Sequence, residues 1–526
     1  MFKALALFST ALLAFNVWAN SGTAYFDPNN TGINSTPEAT FYANSPVGTH
    51  DASACYTASG SGAHPAAPAT CDSGTAIRKF VNPLPLPKLP GGASIPAAAG
   101  KTFFSAPSVL DNTPTSLGKY IPVAVPTKWV NPIGQVTGDD YYEIAAVEYK
   151  ERMHSDLANP TVFRGYVQID PAATDSHAGI NNQELPVTGS QAVPLFQVDG
   201  TTPILVPRPD LFNVLTNATH ITSAGVSYAL VQAYAVDYPH YFGPIFTASR
   251  NVPTRIKFIN LLPVGRASGA ARNGDIFLPV DESLSGAGFG PDGKIKYTQN
   301  RANIHLFGGD TPWISNGNPH QWITPAQEAL ASSGGLLNTV QDLATSKGST
   351  IVNQYLRGWT ATNVPDMVDP GPGAMTYFYP NGGSARLEWL QDQSFGMARL
   401  NVYAGLTSMY LLSDPADTLA NAYEASNTLP TEQIPLVFQD KTFVPKDIAV
   451  EDARWDTTLW GGESSLWYPH VYETNQYYSS KLVTTAAIKT VRGPLNPAIT
   501  SPKLYSSCTN NLNKQGKPTC LVCLNY

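Results

Sequence analysis

Apolar and polar positions alternate with a period of two through most of the readable stretches of the chain, the spacing of a strand that buries one face. Tyr141 to Tyr149, YYEIAAVEY, is the first such segment, followed by Phe163 to Ile169, Ser227 to Val236 and Thr254 to Leu261. Met375 to Pro380, Ala385 to Gln393 and Ala404 to Leu412 continue the pattern, and EQIPLVFQDKTFVP, Glu432 to Pro445, reads as a further strand and turn. Helical periodicity is scarce, and only Pro325 to Leu343 predicts a helix. Short strands separated by turn-rich loops predict an all-β chain built as β-sandwiches.

Composition adds long loops to that picture: 44 prolines and 42 glycines occur in 526 residues. From Ser21 to about Val125 the chain is rich in Pro, Gly, Ala and Ser, with LPLPKLPGG at Leu84 to Gly92 as its stiffest piece. Little in that stretch could bury a core, so it reads as an extended arm over the surface. The first residues, MFKALALFSTALLAFNVWAN, have the make-up of a secretory signal peptide cleaved after Ala19. Export to a periplasm or the extracellular space is therefore expected. No later window holds the roughly 18 apolar residues of a membrane span. A net charge of −7 provides no basic footprint for nucleic acid. Five cysteines in an oxidising compartment predict two disulfides and one thiol. Cys55 with Cys71 is the first expected pair, and two of Cys508, Cys520 and Cys523 the second, with Cys508 and Cys520 the leading candidates. No nucleophile elbow, phosphate loop or dinucleotide fingerprint stands out.

The candidate chemistry sits in NIHLFGGDTPWISNGNPHQW, Asn303 to Trp322. A strand ending His-x-His-Gly would aim two imidazoles the same way, because residues two apart share a face. Here the second position is Phe307. The remaining histidines, His470 the last of them, are scattered without metal spacing.

Four stretches in order resemble the multicopper oxidases, especially their bacterial bilirubin-oxidase-like and laccase-like branch. They are Gly243 to Pro263, Asn300 to Trp322, Thr376 to Asp414 and Glu432 to Pro445. The resemblance implies cupredoxin-like Greek-key β-sandwich domains. It divides the chain into a signal peptide at 1–19, a Pro/Gly-rich arm at 20–137, a first cupredoxin-like domain at 138–414, a partial second one at 415–494 and a Cys-containing tail at 495–526. Members of the family hold a type 1 copper on Cys and His and a trinuclear copper cluster on four His-x-His motifs. Imidazole suits copper because it stays neutral near pH 7, and thiolate tunes the redox potential.

Matched onto this chain, the first motif is His305-Leu306-Phe307-Gly308 and the second is Gln391-Asp392-Gln393. His305 occupies the type 2 copper position. Phe307, Gln391 and Gln393 occupy type 3 positions with a ring that cannot coordinate and two weakly donating amides. The motifs of a last domain find no counterpart after His470. The resemblance therefore implies a scaffold whose trinuclear and type 1 sites are lost, no catalytic residue, and copper at most at low occupancy on His305. A binding or structural role is the expectation. The alternatives are an oxidase subunit completed by a partner cupredoxin chain and a self-associating surface or filament protein.

Overall fold

The computed structural model describes residues 82–95, 102–103, 113, 116–117, 120–178, 186–208, 220–223, 226–265, 272–280, 284–288, 297–328, 364, 366–426, 428, 432–444, 448 and 455–467. Strands dominate them, and the larger of two compact units spans Arg78–Leu278 and Ser285–Lys441. Its first sheet is built on a 16-residue strand, β2 (Val136–Glu151), which pairs antiparallel with β1 (Thr127–Val130) along its first half and with β3 (Thr161–Gln168) along its second. On the other edge β2 runs parallel to β5 (Thr254–Asn260), and β5 pairs antiparallel with β7 (Ala374–Tyr379).

The second sheet has the order β4 (Phe246–Ser249), β9 (Thr407–Ser413), β8 (Arg386–Gln391), β6 (His305–Phe307). Here β4 and β9 are parallel and the other two pairings antiparallel.

The alternation seen in the sequence sorts these strands into an inner and an outer face. Ile144, Ala146, Ile256, Phe258, Met375 and Tyr377 of the first sheet meet Phe246, Leu306, Leu390, Tyr410 and Leu412 of the second in one buried cluster. Its aromatic pairs sit edge-on or stacked at centroid distances of 5.3 Å for Tyr142–Phe246 and 5.9 Å for Phe246–Tyr410. The Tyr410 hydroxyl in that group is satisfied: it lies 2.9 Å from Thr254 Oγ1 and 2.8 Å from Asn381 Oδ1. A satisfied hydroxyl removes the desolvation cost of burying it.

Several expectations shift in detail. Ser227 to Val236 forms as two strands, Val226–Gln232 and Tyr234–Ala235. Ala404 to Leu412 is not one strand, because Ala398–Ala404 is a helix, α2, closed by Gly405 at φ 118°, and β9 begins only at Thr407. A second short helix, α1 (Pro171–His177), starts at Asp170, whose side chain accepts from the Ala173 amide at 3.1 Å. It is set by that cap and by Pro171 rather than by periodicity, since two turns are too short to show a period. A third, Thr418–Ala425, was equally unexpected from the pattern. The helix expected at Pro325 to Leu343 falls mostly outside the described residues.

Glu432 to Pro445 holds only two-residue strands at its ends, and Phe438 between them is 90% exposed. The stretch read as an arm contributes to the packing: Tyr120, Val123 and Ala124 are buried, and Pro87–Lys88 runs parallel to Ile121–Pro122.

In the smaller unit, Thr442–Phe443 pairs antiparallel with Leu466–Trp467 beside a cluster of Val444, Ile448, Trp455 and Trp467. The signal peptide and all five cysteines lie outside the described residues, so the expected disulfides do too. No helix among the described residues is long and apolar enough to cross a membrane.

Candidate functional site

The outer face of the second sheet carries the sequence-matched positions. Because Leu306 points into the core, His305 and Phe307 on either side of it project outward, as a period of two requires. Cross-strand pairing then sets two rows: His305 opposite Gln391 opposite Thr407, and Phe307 opposite Trp389 opposite Met409. The structure thus brings His305, Phe307 and Gln391 together. Gln393 lies beyond the end of β8, and its amide donates to Asn303 Oδ1 at 2.7 Å.

His305, Phe307 and Gln391 each have an occupation other than metal binding. His305 Nδ1 is 2.6 Å from the Asn316 carbonyl. A carbonyl only accepts, so Nδ1 carries the proton and Nε2 the lone pair. Burial lowers the His305 pKa below its ordinary value, with the bond to Asn316 opposing the shift. The ring of Phe307 meets the imidazole edge-on at 4.2 Å. Gln391 Oε1 accepts from Trp389 Nε1 at 2.6 Å. Gln393 Oε1 is buried without a hydrogen-bond partner among the described residues.

What holds this face in place is a set of polar residues just inside it. Asn303 is fully buried, and its Nδ2 lies 3.0 Å from the Gly317 carbonyl, 3.2 Å from that of Asn318 and 3.0 Å from that of Gln321. One amide therefore ties the loop after β6 to the strand. Asp392, between the two glutamines, is also fully buried. It accepts from the Asn303 amide at 2.9 Å, from Ser394 Oγ at 2.7 Å and amide at 3.1 Å, and from Asn401 Nδ2 at 3.0 Å. Burial raises its pKa while these bonds pull it down. Arg301 lies close to two aromatic faces, 4.8 Å from the Tyr297 centroid and 4.9 Å from that of Trp322, and donates to the Phe395 and Gly286 carbonyls. Burial lowers its pKa to about 10. Sequence reasoning quoted Asp392 only as the middle of a motif and missed Asn303 and Trp389. No periodicity marks a side chain that bonds to loop carbonyls.

The donor set does not fit a copper cluster. One imidazole, two amides and a phenyl ring offer a single good ligand where three coppers need many. Among the described residues no group of three or more His, Cys, Asp or Glu could hold a metal ion.

A mostly-β protein with two sheets packed around one core and a histidine on an edge strand, paired to a motif of amides, is the class this geometry defines. No family model matches the chain. A laccase from Bacillus stratosphericus is 30% identical over 203 residues, 38% of this chain and 28% of that protein. A bilirubin oxidase from Albifimbria verrucaria is 28% identical over 104 residues, 20% of this chain and 17% of that protein. Among solved structures, the McoA multicopper oxidase from the hyperthermophile Aquifex aeolicus aligns over 66% of this chain and 38% of its own, at 12% identity and a TM-score of 0.26. Over its matched segment the chain is multicopper-oxidase-like. The match spans less than a third of either curated relative.

Proposed function

We propose that this chain is an exported, multicopper-oxidase-like scaffold without a working copper cluster on its His305 face, serving a binding or structural role. The observation that carries the reading is the cross-strand rows: Phe307 packs on the imidazole, and Gln391 is held by Trp389. Of the positions that hold copper in the resembling family, His305 and Phe307 are here packed on each other and Gln391 is bonded to Trp389. Copper binding by the laccase-like relatives makes the metal a reasonable ligand to test, and His305 Nε2 is the donor this face would offer it. A lone imidazole does not hold copper tightly.

Metal analysis of the purified full chain after copper loading tests the proposal. The expected result is less than one tightly held copper per chain and no intense blue absorption. About four coppers per chain with a blue band would overturn it. Stoichiometric copper appearing only when a second cupredoxin chain co-purifies would favour the partner-completed oxidase instead.

A further inference from the structure

Met409 closes the second cross-strand row, and beside it lies a cavity of about 220 Å³. Its wall is mostly apolar, with Leu86, Leu117, Ile121, Met153, Phe242 and Met409 among its lining. The polar side chains that line it are engaged within the protein. Tyr120 donates its hydroxyl to Asp237 at 2.5 Å, and Asn82 Oδ1 accepts from the Ser155 amide at 3.1 Å. Arg152 is directed to the Ser155 and Leu157 carbonyls at 3.3 and 3.2 Å, and Glu151 Oε2 accepts from the Tyr241 amide at 2.6 Å. The Tyr241 hydroxyl donates to Gln439. His240 Nδ1 lies 3.4 Å from Glu151 Oε1, and both ring nitrogens are buried.

Such a wall selects by what it lacks. An anion would meet the Glu151 carboxylate and a cation the Arg152 guanidinium, so a charged guest gives up its water and is opposed on one side. A guest hydroxyl would exchange water for side chains already bonded to one another. We propose that this cavity binds a neutral, apolar compound of one ring, the size of an alkylbenzene. An apolar cavity of about 150 Å³ takes benzene, and the larger space here leaves room for a short alkyl chain. The Met153 and Met409 thioethers and the Tyr241 and Phe242 rings suit an aromatic guest. Leu84 and Leu436 line the cavity and are also 58% and 50% exposed, which gives the guest an apolar way in from solvent. The site goes beyond the copper-free reading above and does not depend on it, because none of its lining residues belongs to the His305 motif.

The test uses the full chain with carbon-13 in its methionine methyl groups, titrated with ethylbenzene, 2-phenylethanol and phenylacetate and followed by NMR. Met153 and Met409 line the cavity, whereas Met367, Met375 and Met397 do not and serve as internal controls. Met153→Leu and Met409→Leu, which nearly conserve volume, assign the two signals. Ethylbenzene is expected to shift both along one saturable isotherm and to leave the three controls in place. 2-Phenylethanol should bind at least about tenfold more weakly, the cost of burying one hydroxyl, and phenylacetate should produce no shift. Equal affinity for ethylbenzene and 2-phenylethanol, saturation by phenylacetate, or no shift at either methionine overturns the proposal. So does a shift of the two signals on diluting the protein alone, which would mark a second copy of the chain as the occupant. Copper content plays no part in the readout, so this titration and the metal analysis above fail independently.

Discussion

Asn303→Ala gives the most direct test of how the His305 face is held. The carboxamide has two hydrogens serving the Gly317, Asn318 and Gln321 carbonyls at 3.0, 3.2 and 3.0 Å, and one oxygen serving the Gln393 amide at 2.7 Å. Alanine removes two donated bonds and one accepted bond, at about 1 kcal/mol each. It also leaves the part-buried Gln393 N–H without that partner, which adds about 1–3 kcal/mol. The sum, about 4–6 kcal/mol, is a large part of the roughly 5–15 kcal/mol that keeps a domain folded. Urea unfolding followed by tryptophan fluorescence should show the midpoint fall by the corresponding amount. Hydrogen exchange should speed up at the Gln321 and Gln393 amides, on the two segments that Asn303 joins. A loss below about 1 kcal/mol, with exchange unchanged at both, would refute the assignment of Asn303 as the tie between strand and loop.

Asp392→Asn should cost about 2–4 kcal/mol in the same assay, because four donors converge on the carboxylate and an amide would turn its own N–H groups toward two of them. Gly317→Ala should prevent stable folding, read as loss of soluble protein, since an added Cβ would lie 1.7 Å from the Ile304 carbonyl at φ +66°. Gly308→Ala is its control: at φ +86° with nothing within 4 Å, it should cost only about 1–2 kcal/mol of left-handed strain. The lowered His305 pKa means that the unfolded chain binds more protons than the native one just below the ordinary imidazole value of 6.5. Native stability should therefore fall as pH drops through that value, and His305→Gln should flatten this part of a stability-against-pH profile measured by thermal unfolding.

The strands were legible because inner and outer residues alternate, and burying one face demands that pattern. Thr254–Asn260 and Arg386–Gln391 fall inside the segments that alternation marks out. Glu432 to Pro445 was not legible from the same rule. Its apolar run Leu436-Val437-Phe438 pairs with no strand; Leu436 and Val437 line a cavity and Phe438 faces solvent. The motif positions could be read from the sequence, and the register makes His305 and Gln391 cross-strand neighbours. Their supports could not. Asn303 works through loop carbonyls, which leave no spacing in the sequence.

The same period of two separates the residues that build the core from those that face outward. Leu306 and Leu390 carry the inner face of β6 and β8, and both are buried in the central cluster. His305, Phe307, Gln391 and Trp389 lie on the opposite side of the same backbone. A histidine-to-phenylalanine or histidine-to-glutamine difference at the outer positions removes no inner contact, so the transfer free energy of the core is untouched. Such a difference needs only local compensation: a ring edge for Phe307 and an indole N–H for Gln391. Asp392 is held differently. It is fully buried, and its four donors come from the segment just before β6, the turn after β8 and helix α2. Replacing it would disturb three segments at once, which accounts physically for an acidic residue standing between the two glutamines.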